Sequence, residues 1–430
     1  MRNQATSLVL LLAVTVVAAC SDLSTPIAPE DALHAKGGEK GKPGNGGGTQ
    51  PDASMATLGE ALFFAKALSL NGDQACSTCH EPTEGFAAPI STTTDSGSVV
   101  EGSVPGAFGD RKPPTAAYAT LTPVFDGSGK GASGGTFWDG RATGELLGNP
   151  AADQALGPFL NPKEQAMPDE ACVILRITQS ETLLSLWTPV WGSDIETVSF
   201  PGDVETTCTT EVTEPGVYVV LTNADRATVE TAYDQVALSI AEFEATLNTF
   251  SSSFDAGQLT ATEADGEQLF SSKGKCHQCH EMKGDQPLFT DFEYHNLGVP
   301  RNPDHPVYPF GVTAFDPGLG GFTGEAADVG KFKTPTVRNV AVGSNRTFMH
   351  NGSLVTLEQV VQFYNTRDVL RTCEGDELSD ASLWGPPPGI GCWPPPEHPE
   401  NLDTKNMGNL GLTVEEVDAI VAFMKALSDQ

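Results

Sequence analysis

The chain has 430 residues, enough for two domains of ordinary size behind a short exported segment. Fifty-six acidic against 24 basic residues leave a formal net charge of −32. That balance speaks against nucleic acid or an anionic membrane surface as partner and would steer a basic protein toward the molecule, although a salty habitat accounts for the same charge.

Residues 1–19 carry Arg2, an apolar run from Leu8 to Val17 and then Ala18-Ala19-Cys20. This is the pattern of an exported segment with small residues at the cleavage point, too short to span a bilayer. Val17-Ala18-Ala19-Cys20 also has the form of a bacterial lipoprotein site, in which Cys20 becomes the lipid-carrying first residue; an ordinary signal peptide with an incidental Cys20 is the alternative. Residues 20–52 are rich in Gly, with Lys36, Lys40 and Lys42 among them, and too poor in apolar side chains to bury a core, so they are expected to form a flexible tether.

Leu58-Gly59-Glu60-Ala61-Leu62-Phe63 is expected to form a helix leading into Cys76-Ser77-Thr78-Cys79-His80. The same arrangement recurs about two hundred residues later, where Asp265-Gly266-Glu267-Gln268-Leu269-Phe270 precedes Cys276-His277-Gln278-Cys279-His280. Two thiols three apart can form thioethers to the vinyl groups of one haem while the adjacent imidazole ligates the iron, so each motif reads as a covalent c-type haem site. Redox dithiols or one zinc site made of both pairs are the competing readings. A zinc ribbon, however, separates its pairs by roughly 15–20 residues, and neither alternative explains a His after each pair.

After His80 no His or Met occurs until Met167, so the first iron is expected to lack a strong second ligand unless Met167 arrives from elsewhere. This stretch contains Phe137-Trp138-Asp139-Gly140-Arg141, Gln154-Ala155-Leu156-Gly157-Pro158 and Asn161-Pro162-Lys163-Glu164. Short strands are expected near residues 197–200 and 217–221. Val236, Ile240, Phe243 and Leu247 recur at helical spacing within a helix expected over residues 227–250. Ser251-Ser252-Ser253 and Gly257 then mark a boundary. With four Cys assigned to haem and Cys20 to lipid, Cys172, Cys208, Cys373 and Cys392 remain; in an oxidising compartment, pairing neighbours gives Cys172–Cys208 and Cys373–Cys392.

Beyond His280 lie Phe289-Thr290-Asp291-Phe292-Glu293-Tyr294-His295-Asn296-Leu297-Gly298, Lys333-Thr334-Pro335-Thr336-Val337-Arg338-Asn339 and Phe348-Met349-His350-Asn351-Gly352-Ser353. Thr356-Leu357-Glu358-Gln359 reads as a capping box. It opens a helix on which Leu357, Val360, Val361 and Tyr364 share an apolar face.

The order and spacing of these motifs resemble the bacterial di-haem cytochrome c peroxidase family, which includes MauG, from Met55 to Asp429. The resemblance implies a mainly α fold with long Gly- and Pro-rich loops. It also implies two cytochrome c-like domains, 53–255 and 256–430, each holding one haem c. Trp138 would stand between the haems, and Gln154, Pro158 and Glu164 over the open face of the first. Heterolysis of a peroxide needs a proton moved between its oxygens, which a carboxyl of raised pKa can do, so Glu164 is the candidate acid and Gln154 the group that orients peroxide.

By the same resemblance, Arg338 and His350 serve haem propionates or the region between the haems. Tyr364 takes the place where reduction-activated members carry an axial Met and MauG an axial Tyr, with Met349 as the rival ligand. A thioether would raise the potential of the second haem; a phenolate would stabilise its oxidised states. The family commonly binds calcium between the haems at positions matching Lys112, Asn345 and Thr347, where an ammonium at Lys112 disfavours the ion. A surface Trp that MauG carries before its second haem motif is here Gly274.

The expected function is a periplasmic, lipid-anchored di-haem oxidase or peroxidase. It would take hydrogen peroxide at the first haem and pass oxidising equivalents through the second to an external reductant or an exported protein. The absence of a distal His in the first loop favours a MauG-like member. A peroxidase drawing electrons from a small cytochrome is the alternative, and a di-haem electron carrier without peroxide chemistry is a third reading.

Overall fold

Each haem-motif helix is crossed at close range by the last long helix of its half. The structure, a computed structural model, describes residues 52–89, 98–128, 131–343 and 347–430. The expected leader, the lipid site at Cys20, the tether up to residue 51 and Asn345 of the calcium trio lie outside them. The fold is mainly α, and its strands among the described residues are two-residue pairings: Tyr294–His295 antiparallel to Phe332–Lys333, and Arg371–Thr372 parallel to Cys392–Trp393.

The Ala53–Phe63 helix begins where the Asp52 carboxylate accepts from the amides of Ser54 and Met55, and it packs on the Asn223–Ala245 helix. The Ala261–Ser271 helix begins with a reciprocal Thr260/Glu263 capping box and packs on the Val414–Lys425 helix. Both crossings depend on a glycine. A Cβ on Gly59 would lie 1.8 Å from the Ser239 carbonyl oxygen, and one on Gly266 would lie 1.9 Å from that of Ala419.

Two aromatic clusters follow from these crossings, Phe63 with Phe86 and Phe243, and Phe270 with Phe289 and Phe423. Each lies beside one motif histidine, His80 or His280. The short sequence repeat thus extends into a repeated tertiary unit. Gly59→Ala is expected to destabilise the protein by about 1–3 kcal/mol through overpacking. Helix propensity alone would favour Ala by about 1 kcal/mol. Denaturant unfolding of the haem-loaded protein decides between the two signs.

The first core, around Leu58, Phe63, Phe159, Trp187 and Val236, is separate from a second around Phe270, Phe289, Ile420 and Phe423 and a third around Phe363, Trp384 and Trp393. Disulfides join Cys172 to Cys208 and Cys373 to Cys392.

Three local expectations require correction. The long helix runs from Asn223 to Ala245, earlier than its apolar periodicity indicated, because Thr222 caps it. The stretches 197–200 and 217–221 form no ladder. The Asp169 carboxylate takes the place of a partner strand, accepting from the amides of Tyr218 and Val219 at 2.8 Å each, while Arg226 donates to the Val219 carbonyl. At the Leu357–Thr366 helix only half of the capping box forms: Thr356 accepts from the Gln359 amide, but the Gln359 side chain takes the amide of Val355.

Candidate functional site

Two cavities flank one shared wall. The first is lined by Cys76, Cys79 and His80, the second by Cys276, Cys279 and His280. Because the two Cys pairs belong to different cavities, they cannot close a single metal site. Burial pushes the thiols of Cys76 and Cys276 up to about 12, so they are neutral rather than reactive thiolates.

The histidines are prepared alike. His80 approaches the Phe86 carbonyl through Nδ1 at 3.2 Å and His280 the Phe289 carbonyl at 2.9 Å. With the proton on Nδ1, the lone pair of Nε2 is free for a metal, and burial holds both imidazoles neutral. Phe86 and Phe289 adopt φ of 55° and 52°, a left-handed backbone that bulky side chains avoid, and it is these residues that present the carbonyls.

The lining fits haem for a further reason. Buried polar atoms are nearly always hydrogen-bonded. Gln74 Oε1, Gln165 Oε1 and Glu244 Oε2 on the first cavity and His350 Nε2 on the second have no partner among the described residues. A polar edge of a bound haem, or water beside it, would satisfy these atoms.

The structure brings Gln154, Pro158 and Glu164 together on the first cavity. The Pro150–Leu160 helix carries Gln154 and Pro158, and the turn after it presents Glu164, whose Oε1 accepts from Asn161 Nδ2 at 2.8 Å. Burial raises the Glu164 carboxyl, outweighing the opposing effects of Arg141 and Asn161. Met167 is fully buried in the first core and does not line this cavity. Among the described residues His80 is the cavity's only histidine, and its one methionine, Met349, belongs to the wall shared with the second cavity.

Trp138 lines both cavities. Its indole N–H donates to the Lys112 carbonyl at 2.8 Å, and its ring meets His350 edge-on at 6.3 Å. His350 in turn stacks on Phe332 at 3.5 Å. Asp139, next to Trp138, receives Arg111 and Arg141, and Arg111 reaches on to Asp316. This ion network pins the tryptophan loop to the C-terminal half.

On the second cavity, Leu357, Val360, Val361 and Tyr364 all present themselves from one helix, and Met349 and His350 line the same cavity. The hydroxyls of Tyr118, Tyr218, Tyr233 and Tyr294 each donate to a protein oxygen. That of Tyr364 has no such acceptor among the described residues. Burial, and then the nearby Cys279 and Cys276, hold its phenol well above the ordinary range.

Arg338 lines the first cavity but not the second. It uses three of its five donors on Asp255 and the Pro287 carbonyl. This is a tie between the boundary segment and the second motif's loop. Lys112 and Thr347 are buried.

Sequence reasoning passed over Glu244, although an acid beside the stripe of Ile240 and Phe243 was the available signal. It is 4% exposed, and burial alone pushes its carboxyl up to about 8. A carboxyl raised in the fold contributes its full stability only below the unfolded pKa of about 4.3 and loses it as pH climbs through the folded value. Glu244→Gln is therefore expected to flatten the pH dependence of unfolding between about pH 5 and 8 by up to a few kcal/mol. Denaturant midpoints across that range would show it; identical slopes would mean the carboxyl is hydrated or paired in the loaded protein.

The fold and these two cavities define a di-haem oxidoreductase of the c type. The profile of the family described as di-haem cytochrome c peroxidase matches residues 53–263. The methylamine utilization protein MauG of Paracoccus denitrificans is 32% identical over 397 residues, covering 88% of this chain and 89% of its own. The cytochrome c551 peroxidase of Nitrosomonas europaea is 27% identical, covering 77% and 78%. The crystal structure of the diheme peroxidase BthA from Burkholderia thailandensis matches with a TM-score of 0.64 at 27% identity, covering 88% and 87%. This chain belongs to the di-haem cytochrome c peroxidase family.

Proposed function

We propose that the protein reacts with hydrogen peroxide at the first cavity and delivers the oxidising equivalents through the second to an external reductant or protein, as a MauG-like member. Bound haem supplies the iron chemistry that cleaves the peroxide bond. The protein supplies proton control and positioning. Glu164, kept protonatable by burial, accepts the proton of the nearer peroxide oxygen and returns it to the leaving one, Gln154 orients the peroxide, and Pro158 fills the space beside it. With an electron donor the balance is one peroxide, two electrons and two protons to two waters.

Trp138 stands in the shared wall as the route between cavities, and Tyr364 takes the ligand position on the second. The observation that carries this reading is a raised carboxyl and an amide on a cavity whose only histidine among the described residues is the motif's own. Met349 on the second cavity supports an alternative in which a thioether ligates that haem and the protein is a peroxidase fed by a small cytochrome.

We place the division between haem domains at 255/256 and the protein in the periplasm, lipid-anchored at Cys20, with a partner that presents a basic face to its acidic surface. No helix among the described residues is long and apolar enough to cross a membrane. Calcium is left out of the reading, since Lys112 offers no oxygen from its side chain.

Mixing the fully ferric protein with one equivalent of peroxide in a stopped-flow spectrometer tests the proposal. A fast, persistent spectral change without reductant supports it. Reaction only after one-electron reduction favours the cytochrome-fed peroxidase, and inertness in both states leaves an electron carrier.

A further inference from the structure

The wall between the cavities contains residues 333–336, all of which line both. The segment is held in place by the pairing of Phe332–Lys333 with Tyr294–His295 and by the Lys333 amide, which donates to the Trp138 carbonyl at 2.9 Å. Its first residue brings an ammonium into this wall. Lys333 Nζ donates to the Gly135 carbonyl at 2.7 Å and, among the described residues, has no carboxylate partner. Burial draws it down to about 8, opposed by the charge of Asp139.

The three arginines that line the first cavity are matched. Arg111 is held by Asp316 and Asp139, Arg141 by Asp139, and Arg338 by Asp255. Lys333 is also the only lysine or arginine among the described residues lining the second cavity, whose walls are otherwise largely apolar. A haem brings two propionates, and a carboxylate removed from water requires a cation or several donors. One half-buried ammonium with a single neutral acceptor, facing that cavity, has the complementary need.

We propose that Lys333 binds a propionate of the haem in the second cavity and that its charge, which also faces the first cavity, sets the reduction potentials of both haems. This rests on the di-haem reading. A positive charge close to an iron stabilises the reduced, more negative state, so its removal lowers the potential.

The test compares the holoprotein with Lys333→Met, Lys333→Gln and Lys333→Arg. Pyridine haemochromogen spectra first establish two haems per chain, which tests the cofactor reading independently of Lys333. Spectroelectrochemical titration then gives both potentials. The expected result is a downward shift of both in Lys333→Met and Lys333→Gln, with Lys333→Arg close to the parent. Lys333→Gln keeps a donor for the Gly135 carbonyl and carries the test if the methionine variant does not fold. Unchanged potentials in the neutral variants, or a shift confined to one haem, would overturn the proposal.

Discussion

Glu164→Gln is expected to slow the reaction of the ferric protein with peroxide by about 10²–10⁴-fold, the range general acid–base groups contribute. The amide is nearly isosteric and its oxygen can still accept from Asn161, so the turn should hold. What it loses is the ability to take up a proton and give it back. Glu164 suits that task because burial raises its carboxyl while Arg141 and Asn161 keep the charged form accessible. Haem content and both reduction potentials should match those of the parent. A normal rate in this variant would remove Glu164 from the chemistry and make Glu244, a buried acid on the same cavity whose carboxyl is also raised, the residue to test.

Replacing Tyr364 with methionine should raise the reduction potential of the second haem on the order of a few hundred millivolts, given that axial ligands tune haem potentials over about 0.8 V. The phenol faces a cavity with no protein acceptor among the described residues, and in the metal-free protein burial keeps it protonated. As a ligand, Tyr364 would have to give up that proton to the iron of a bound haem, as other protein ligands do to metals. The same variant should lose the persistence of the peroxide-oxidised species, since a thioether favours the reduced state. An unchanged potential would point to Met349, and Met349→Leu would then produce the large shift instead.

Much of this site was legible because its chemistry is written in adjacent residues. A Cys-x-x-Cys-His turn brings both thiols and the imidazole to one haem whatever surrounds it, and the Gln154, Pro158 and Glu164 group lies within one helix and the turn after it. Tyr364 could be placed on a cavity-facing stripe because helical spacing alone aligns it with Leu357, Val360 and Val361. Strands were misjudged where a side chain replaced a ladder: alternation of Val217, Val219 and Leu221 cannot reveal that the Asp169 carboxylate, about fifty residues earlier, accepts the amides.

The sequence by itself determined the two Cys-x-x-Cys-His motifs, the helical character of the chain and the family resemblance, since each depends on residues close together in the chain. Only the tertiary structure decided which groups face each cavity. Met167 went to the core, Arg338 to Asp255, and Lys333 to the wall between the cavities. Their roles are fixed by partners from remote segments, brought near by helix crossings whose closeness rests on Gly59 and Gly266. Burial and charge pairing, which set a proton affinity or a potential, exist only once those segments meet.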